Sequence, residues 1–280
     1  MPIFYPVWTN TEKQIVVESM SKLSYRKICD LLPGRTLNSI KQRATLLGLH
    51  RDRHVMCHLG QKKIGVNEEF FERKTLTSAY WAGFIAADGC VLNNPRFEVR
   101  LWVHEKDRIH IERFVADTGY HGQIKLRKGE SVIGVTVSGV EKWVVALQKI
   151  YSIGPKKTWF LVAPNLEVPE ELEFVLAYIR GYIDGDGCWA TSQSRGGKRR
   201  LHLVLVGTQA ILVWIVKMLS LIVGSQIIRE PRLNKGCFKY TLSGKLAEQV
   251  AEVLSSLIVP RLDRKWNIAD GFCDRQLVRG

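Results

Sequence analysis

Acidic residues are scarce relative to basic ones in this 280-residue chain. Asp and Glu number 27 against 41 Lys and Arg, a formal charge of +14. That imbalance points to a polyanionic partner, nucleic acid ahead of an anionic membrane surface. Long apolar runs are also missing. The best stretch, Ile211 to Val223, is short and contains Lys217, so no bilayer-spanning helix is expected. The first residues, Met1-Pro2-Ile3-Phe4-Tyr5, lack the basic region and apolar core of a secretory signal. The six cysteines stand at 29, 57, 90, 188, 237 and 273, and none forms a C-x-x-C pair. A reduced, cytoplasmic setting is therefore expected. His54, Cys57 and His58 form one metal-like cluster, but a closed zinc site needs a fourth soft or imidazole ligand and none is near.

Enough apolar sequence is present, 46%, for one large core or two to three small ones. The chain is organised around a pattern that occurs twice. Ala79 to Gly89 reads AYWAGFIAADG and Ala177 to Gly187 reads AYIRGYIDGDG. The offset is constant: 181 − 83 = 98 for the inner glycine and 186 − 88 = 98 for the aspartate. A repeat of that length indicates a duplicated half-domain. Each copy reads as an apolar helix ending at Asp-Gly. Gly83 and Ala87 share one helix face, as do Gly181 and Gly185, and small residues at this spacing let two helix backbones approach closely. Mid-helix glycine costs about 1 kcal/mol relative to alanine, so matched glycines imply a packing reason. Gly89 and Gly187 are expected in the left-handed conformation that ends a helix. Packed together, the helices would bring Asp88 and Asp186 side by side. Two carboxylates at helix C-termini oppose the helix dipole unless a cation joins them, and hard oxygen ligands suit magnesium. A calcium loop at residues 184–187 is the weaker reading, because Cys188, Trp189, Ala190 and Thr191 follow where acidic ligands are needed.

At these residues, WAGFIAADG at 81–89 and IRGYIDGDG at 179–187, the chain resembles the LAGLIDADG homing endonucleases. The resemblance covers roughly residues 77–280, and two copies in one chain resemble the single-chain, pseudo-symmetric branch. The departures are Ala86 for the first acid, Arg180 for an alanine and Gly185 for the second alanine. The last aspartate of the motif is intact in both copies; in the family it binds the catalytic metal.

Residues 7–49 read as a separate unit. Thr9 is a candidate N-cap with Glu12 as its capping-box acid. Helices are expected to about Ser19, over Ser24–Leu32 and over Leu37–Leu47, with Pro33-Gly34-Arg35-Thr36 as a turn. Three short helices with a basic third one fit a helix-turn-helix. Trp8-Thr9, Leu32 to Thr36, Ser39-Ile40, Arg43-Ala44 and Leu47-Gly48-Leu49 resemble Myb/SANT-like DNA-binding domains, which makes Arg35, Lys41 and Arg43 candidate DNA contacts. The predicted organisation is 1–50 helix-turn-helix domain, 51–75 basic linker, 76–166 first half-domain and 167–280 second half-domain.

The predicted fold class is α+β, with antiparallel sheets. In the first half, residues 97–103 alternate with period two, placing Phe97, Val99, Leu101 and Val103 in the core and Arg100 and Trp102 outside. A helix over 107–118, a hairpin over 123–138 and a helix over 139–151 follow. The second half repeats the order: motif helix at 171–184, strand at 200–205, helix at 208–223, hairpin at 226–242 and helix at 245–257. Arg100, Lys125 and Arg127, then Arg229, Arg232 and Lys239, are expected on the sheet sides away from the core. Two such sheets would form a DNA-binding saddle, since β surfaces can enter the major groove and read bases with Arg and Lys. Arg195 and Arg199, in the basic loop 193–200, are expected at phosphates.

The resemblance implies a site-specific, double-strand DNA endonuclease of intron or intein mobility, acting as a monomer on a long target site, with no membrane. It implies Mg2+, or another divalent cation such as Mn2+, held by Asp88 and Asp186 with help from the carbonyls of Ala87 and Gly185. It also implies a lysine near each site after the last helix of each half. Lys157 and Lys265 occupy those positions, with Lys156 a rival to Lys157. Proteins of the same fold include intron maturases that bind RNA and regulators that bind DNA without cutting it, so a non-cleaving nucleic-acid binder is the alternative.

Overall fold

A computed structural model describes residues 7–50, 65–93, 96–127, 129–166, 171–193, 197–227 and 229–277, with side chains to 273. The chain divides into two compact units, Met1–Lys63 and Ile64–Gly280. The His54, Cys57, His58 cluster and Arg195 lie outside the described residues.

The smaller unit holds three helices: α1 (Asn10–Ser19), α2 (Tyr25–Leu31) and α3 (Leu37–Leu46). A capping box starts α1. The Glu12 amide donates to the Thr9 hydroxyl at 3.2 Å, and the Thr9 amide donates to the Glu12 carboxylate at 2.8 Å. Ser24 and Thr36 cap the next two helices by accepting from the Lys27 and Ser39 amides through their side chains. Trp8, Val16, Met20, Ile28, Leu32, Ile40 and Ala44 form its buried core.

The larger unit begins with helix α4 (Leu76–Asp88). It continues through strands β1 (Gly89–Leu92) and β2 (Glu98–His104), one 3-10 turn at Glu105–Asp107, and helix α5 (Arg108–Thr118). Strands β3 (Lys125–Leu126) and β4 (Val132–Ser138), helix α6 (Glu141–Tyr151) and the short α7 (Lys157–Phe160) complete this half. The second half follows the same order: α8 (Leu172–Asp186), β5 (Gly187–Gln193), β6 (Arg199–Gly207), α9 (Gln209–Ile222), β7 (Arg232–Asn234), β8 (Cys237–Ser243) and α10 (Lys245–Ser255). It ends in α11 (Asp263–Leu277). The two sheets are antiparallel with matching orders, β1-β2-β4-β3 and β5-β6-β8-β7.

Helices α4 and α8 form the centre. Almost every side chain of both is buried, which explains their near-continuous apolar sequence. Their contact is set by glycine. A Cβ on Gly83 would stand 1.9 Å from the Tyr178 carbonyl oxygen, and a Cβ on Gly181 would stand 1.9 Å from that of Tyr80. The pairing is reciprocal, as a pseudo-twofold axis between the helices requires. One turn on, a Cβ on Gly185 would stand 2.2 Å from the Ala87 methyl.

Two expectations are corrected. Gly89 and Gly187 are not left-handed: they have φ −79° and −102° in extended backbone, and open the strands that follow. Glycine suits them because a Cβ would press against the preceding turn, at Ile85 in one copy and Ile183 in the other. Residues 65–75 are part of the larger unit, not of a linker. Phe70 and Phe71 are buried in its core and Trp143 donates to the Asn67 carbonyl at 2.7 Å. Beyond the last helix located in the sequence, α11 packs Trp266, Ala269 and Phe272 into the core.

Candidate active site and nucleic-acid interface

The reciprocal helix contact brings the last residues of α4 and α8, Asp88 and Asp186, close enough that the charge of Asp88 acts on Asp186. Solvent reaches Asp88 freely and Asp186 in part. Burial by surrounding protein nevertheless raises the Asp186 pKa to about 6, and the Asp88 charge adds to that rise. Burial raises Asp88 as well, opposed first by the charge of Lys265. Two carboxylates held against burial, against each other and against two helix C-termini form a site that gains from a cation.

Two amines already face it. Lys157 donates to the carbonyls of Ala86, at 2.7 Å, and Ala87. Lys265 donates to the carbonyls of Gly185 at 2.5 Å and Gly187 at 2.8 Å. Each amine thus caps the C-terminal carbonyls of the motif helix in its own half. Burial lowers both lysine pKa values. Asp186 opposes that first for Lys157, and Asp88 first for Lys265. Each amine is thus bonded to one half's carbonyls and lies within the field of both carboxylates. Lys156 differs: it is exposed, with a left-handed φ of 59°.

The donor set that fits a hard divalent cation is the two carboxylates with raised pKa values; the carbonyls of Ala87 and Gly185 already accept from Lys157 and Lys265 and have only a second lone pair to offer. Among the described residues no three His, Cys, Asp or Glu side chains are grouped to hold a metal. A cation here would need water or phosphate oxygens to complete its shell, which is how magnesium is usually bound.

The sheet faces carry the predicted cations. In register, Arg100 sits between Cys90 and Thr136, and Lys125 opposite Gly134, itself opposite Trp102. Arg100 is not free: its guanidinium donates to the buried Glu98 carboxylate at 2.5 and 3.0 Å, which fixes its direction. Arg127 lies over the Trp102 ring, 4.5 Å from its centroid. In the second sheet Arg232 pairs with Lys239 across β7 and β8, and both are exposed, as are Arg229 and Arg199. Arg229, Arg232, Asn234 and Lys239 line one cavity of about 200 Å³.

The smaller unit corrects one expectation. Arg35 is turned inward. Its guanidinium donates to Glu12 at 2.7 Å and to the Val7 carbonyl at 2.9 Å, and lies 4.4 Å from the Trp8 ring centre. It ties α1 to the turn before α3 and has no fork left for DNA. Arg43 stacks on the other contact of the same ring, at 5.1 Å, and Lys41 is exposed.

Sequence reasoning passed over Asp184, Arg180, Asp107 and Trp266. Asp184 is completely buried. Its carboxylate accepts from the Tyr80 hydroxyl at 2.6 Å, the Leu262 amide at 2.8 Å and the Trp266 indole at 2.6 Å. Arg180, one turn earlier, donates to the carbonyls of Leu254 and Leu257, each at 2.8 Å. The signal was present: both are polar where the first copy has Ala82 and Ala86.

No protein-family model matches the chain, and no curated protein does. Solved structures do. The meganuclease I-SmaMI bound to uncleaveable DNA with a TTGT central four superimposes with a TM-score of 0.51 at 16% identity, covering 72% of this chain and 89% of that one. The LAGLIDADG homing endonuclease I-SmaMI bound to cleaved DNA gives 0.50 at 15% identity, covering 72% and 89%. The chain has the LAGLIDADG meganuclease fold.

Proposed function

We propose that the chain is a divalent-metal-dependent endonuclease that cuts both strands of duplex DNA at a long, specific site. The observation that carries this is the reciprocal glycine contact that sets Asp88 and Asp186 together beside two half-buried amines. A pure binder of a polyanion has no use for paired carboxylates on its binding side. Asp88 and Asp186 hold Mg2+ or Mn2+, with the carbonyls of Ala87 and Gly185 as further oxygen donors. Bound there, a divalent ion would supply Lewis-acid chemistry, making a coordinated water more acidic and offsetting charge on the leaving oxygen. Lys157 and Lys265 offset the charge that builds on the phosphate, each positioned by the helix-end carbonyls it caps. The two sheets form the saddle. Arg100, Lys125, Arg127, Arg229, Arg232 and Lys239 face the groove, and the 193–200 loop, with Arg195 and Arg199, reaches phosphates. The three-helix unit adds DNA contacts through Lys41 and Arg43.

The test is incubation with magnesium and a library of long duplex sites, scored for double-strand breaks, with a chelator in parallel. A discrete set of cut sites that disappears with the chelator supports the proposal. Tight binding with no breaks in Mg2+ or Mn2+ points to the non-cleaving alternative.

A further inference from the structure

The two lysines are held very differently. Lys157 opens the four-residue α7, whose last two residues are exposed aromatics, Trp159 at 72% and Phe160 at 71% of full exposure. Lys265 lies in a segment fastened on both sides. Before it, the Leu262 amide is bonded to Asp184 at 2.8 Å. Directly beside it, Arg264 makes a two-pronged ion pair with the buried Asp107 of the first half, at 2.6 and 2.7 Å. Directly after it, the Trp266 indole donates to Asp184 at 2.6 Å, and the Arg180 guanidinium lies 5.1 Å from that ring's centre. Arg180 also carries the loop before Pro260 through the Leu254 and Leu257 carbonyls.

These fastenings all depend on polar residues that only the second motif copy has, Arg180 and Asp184, or on a partner across the pseudo-twofold, Asp107 and Tyr80. The first copy offers Ala82 and Ala86 at the matching positions and can hold nothing in that way. Buried, multiply bonded carboxylates fix the groups that donate to them, because any movement strands a donor without water.

Resting on the nuclease reading, we infer that Asp184 is a positioning residue for Lys265, and that Asp184 and Asp107 make the Lys265 half of the site preorganised while the Lys157 half is not. The two strands of the target are then cut at unequal rates, the strand served by Lys265 first. Displacing a reacting or charge-stabilising group by about 1 Å costs on the order of 100-fold in rate. Loosening the clamp therefore slows one strand only.

The experiment has two arms on the full chain. In the first, folded protein without DNA is labelled at lysine amines with acetic anhydride and mapped by peptide mass. Asp184→Asn is compared with Trp266→Phe and with Arg264→Gln, whose side chain is half-exposed and whose loss threatens the fold least. Expected is a several-fold rise in Lys265 labelling in each variant, with Lys157 labelling unchanged. In the second arm the same variants cut an end-labelled duplex target in single turnover. Expected is slowing of the strand that Lys265→Met slows, by about tenfold or more, with the other strand at the parental rate. Unchanged Lys265 labelling in all three variants overturns the positioning role, whatever the protein does to DNA. Equal slowing of both strands overturns the asymmetry. A parent that shows clamp-dependent labelling but cuts no DNA leaves the clamp standing and removes the nuclease reading instead.

Discussion

The amine of Lys265 lies 2.5 Å from the carbonyl oxygen of Gly185, the residue just before Asp186. Lys157 makes the matching contact with Ala87, just before Asp88. A cation is thus already placed at each helix end that the paired aspartates would otherwise leave doubly negative.

The first concerns acid. The folded Asp186 pKa of about 6 is above the ordinary 3.8, so the folded state holds its proton longer than the unfolded chain does. Stability of the metal-free protein should fall as pH rises from about 4 to about 6, and the penalty should persist above that. Each pKa unit is 1.36 kcal/mol; discounted for partial solvent access, the penalty is on the order of 1–2 kcal/mol. Asp186→Asn should therefore raise the metal-free melting temperature at pH 7 by a few degrees and have little effect near pH 4. Magnesium should stabilise the parent and not the variant. Melting curves across pH, with and without magnesium, check this.

The second concerns the helix contact. Gly181→Ala places a methyl about where the Tyr80 carbonyl oxygen sits, 1.9 Å away, so the backbones must separate. A loss of 1–3 kcal/mol, roughly, or more is expected. Gly154→Ala is the control. Its Cβ meets nothing nearer than Gln148 at 3.8 Å, and it should leave the melting temperature close to the parent's.

A third concerns the small helical unit. Arg35 and the Thr9 backbone hold the Glu12 carboxylate at a pKa of about 2, below the ordinary 4.5. That stabilisation is complete above pH 4.5 and is lost as pH falls toward 2. Glu12→Gln should lower the unit's melting temperature at pH 7 and make it insensitive to acid in that window. Circular dichroism of residues 1–63, which form their own compact unit, reads this directly.

A fourth separates affinity from cutting. Removing residues 1–63 should leave a folded protein that still cuts, with weaker binding and a shallower salt dependence, because phosphate contacts near Lys41 and Arg43 are lost. Identical salt slopes with and without the unit would show that it stays off the DNA.

Much of this fold was legible because the repeat is local and periodic. Residues 79–89 and 177–187 announce two buried helices, and alternation over 97–103 announces β2 with its correct faces. Strands β1 and β5 were not located, because they begin on the Asp-Gly itself. The left-handed expectation for Gly89 and Gly187 failed for the same reason: the chain goes straight from helix into strand, and small size is needed there, not a positive φ. At the site, Asp88 and Asp186 could be named from the repeat, while the two lysines came only from the family resemblance. The inward turn of Arg35 could not, since its partner Glu12 lies 23 residues away and only the fold brings them together. Nor could the Asp184 clamp, whose partners Tyr80 on one side and Leu262 and Trp266 on the other come from two distant parts of the chain.

The central claim is that Asp88 and Asp186 together form the cutting centre. The most direct measurement is magnesium-dependent cleavage of a selected target by the parent and by the Asp88→Asn, Asp186→Asn double variant, with binding followed on the same duplex. The account predicts that the variant binds at close to parental affinity and makes no double-strand breaks. Parental cutting by the double variant would contradict it.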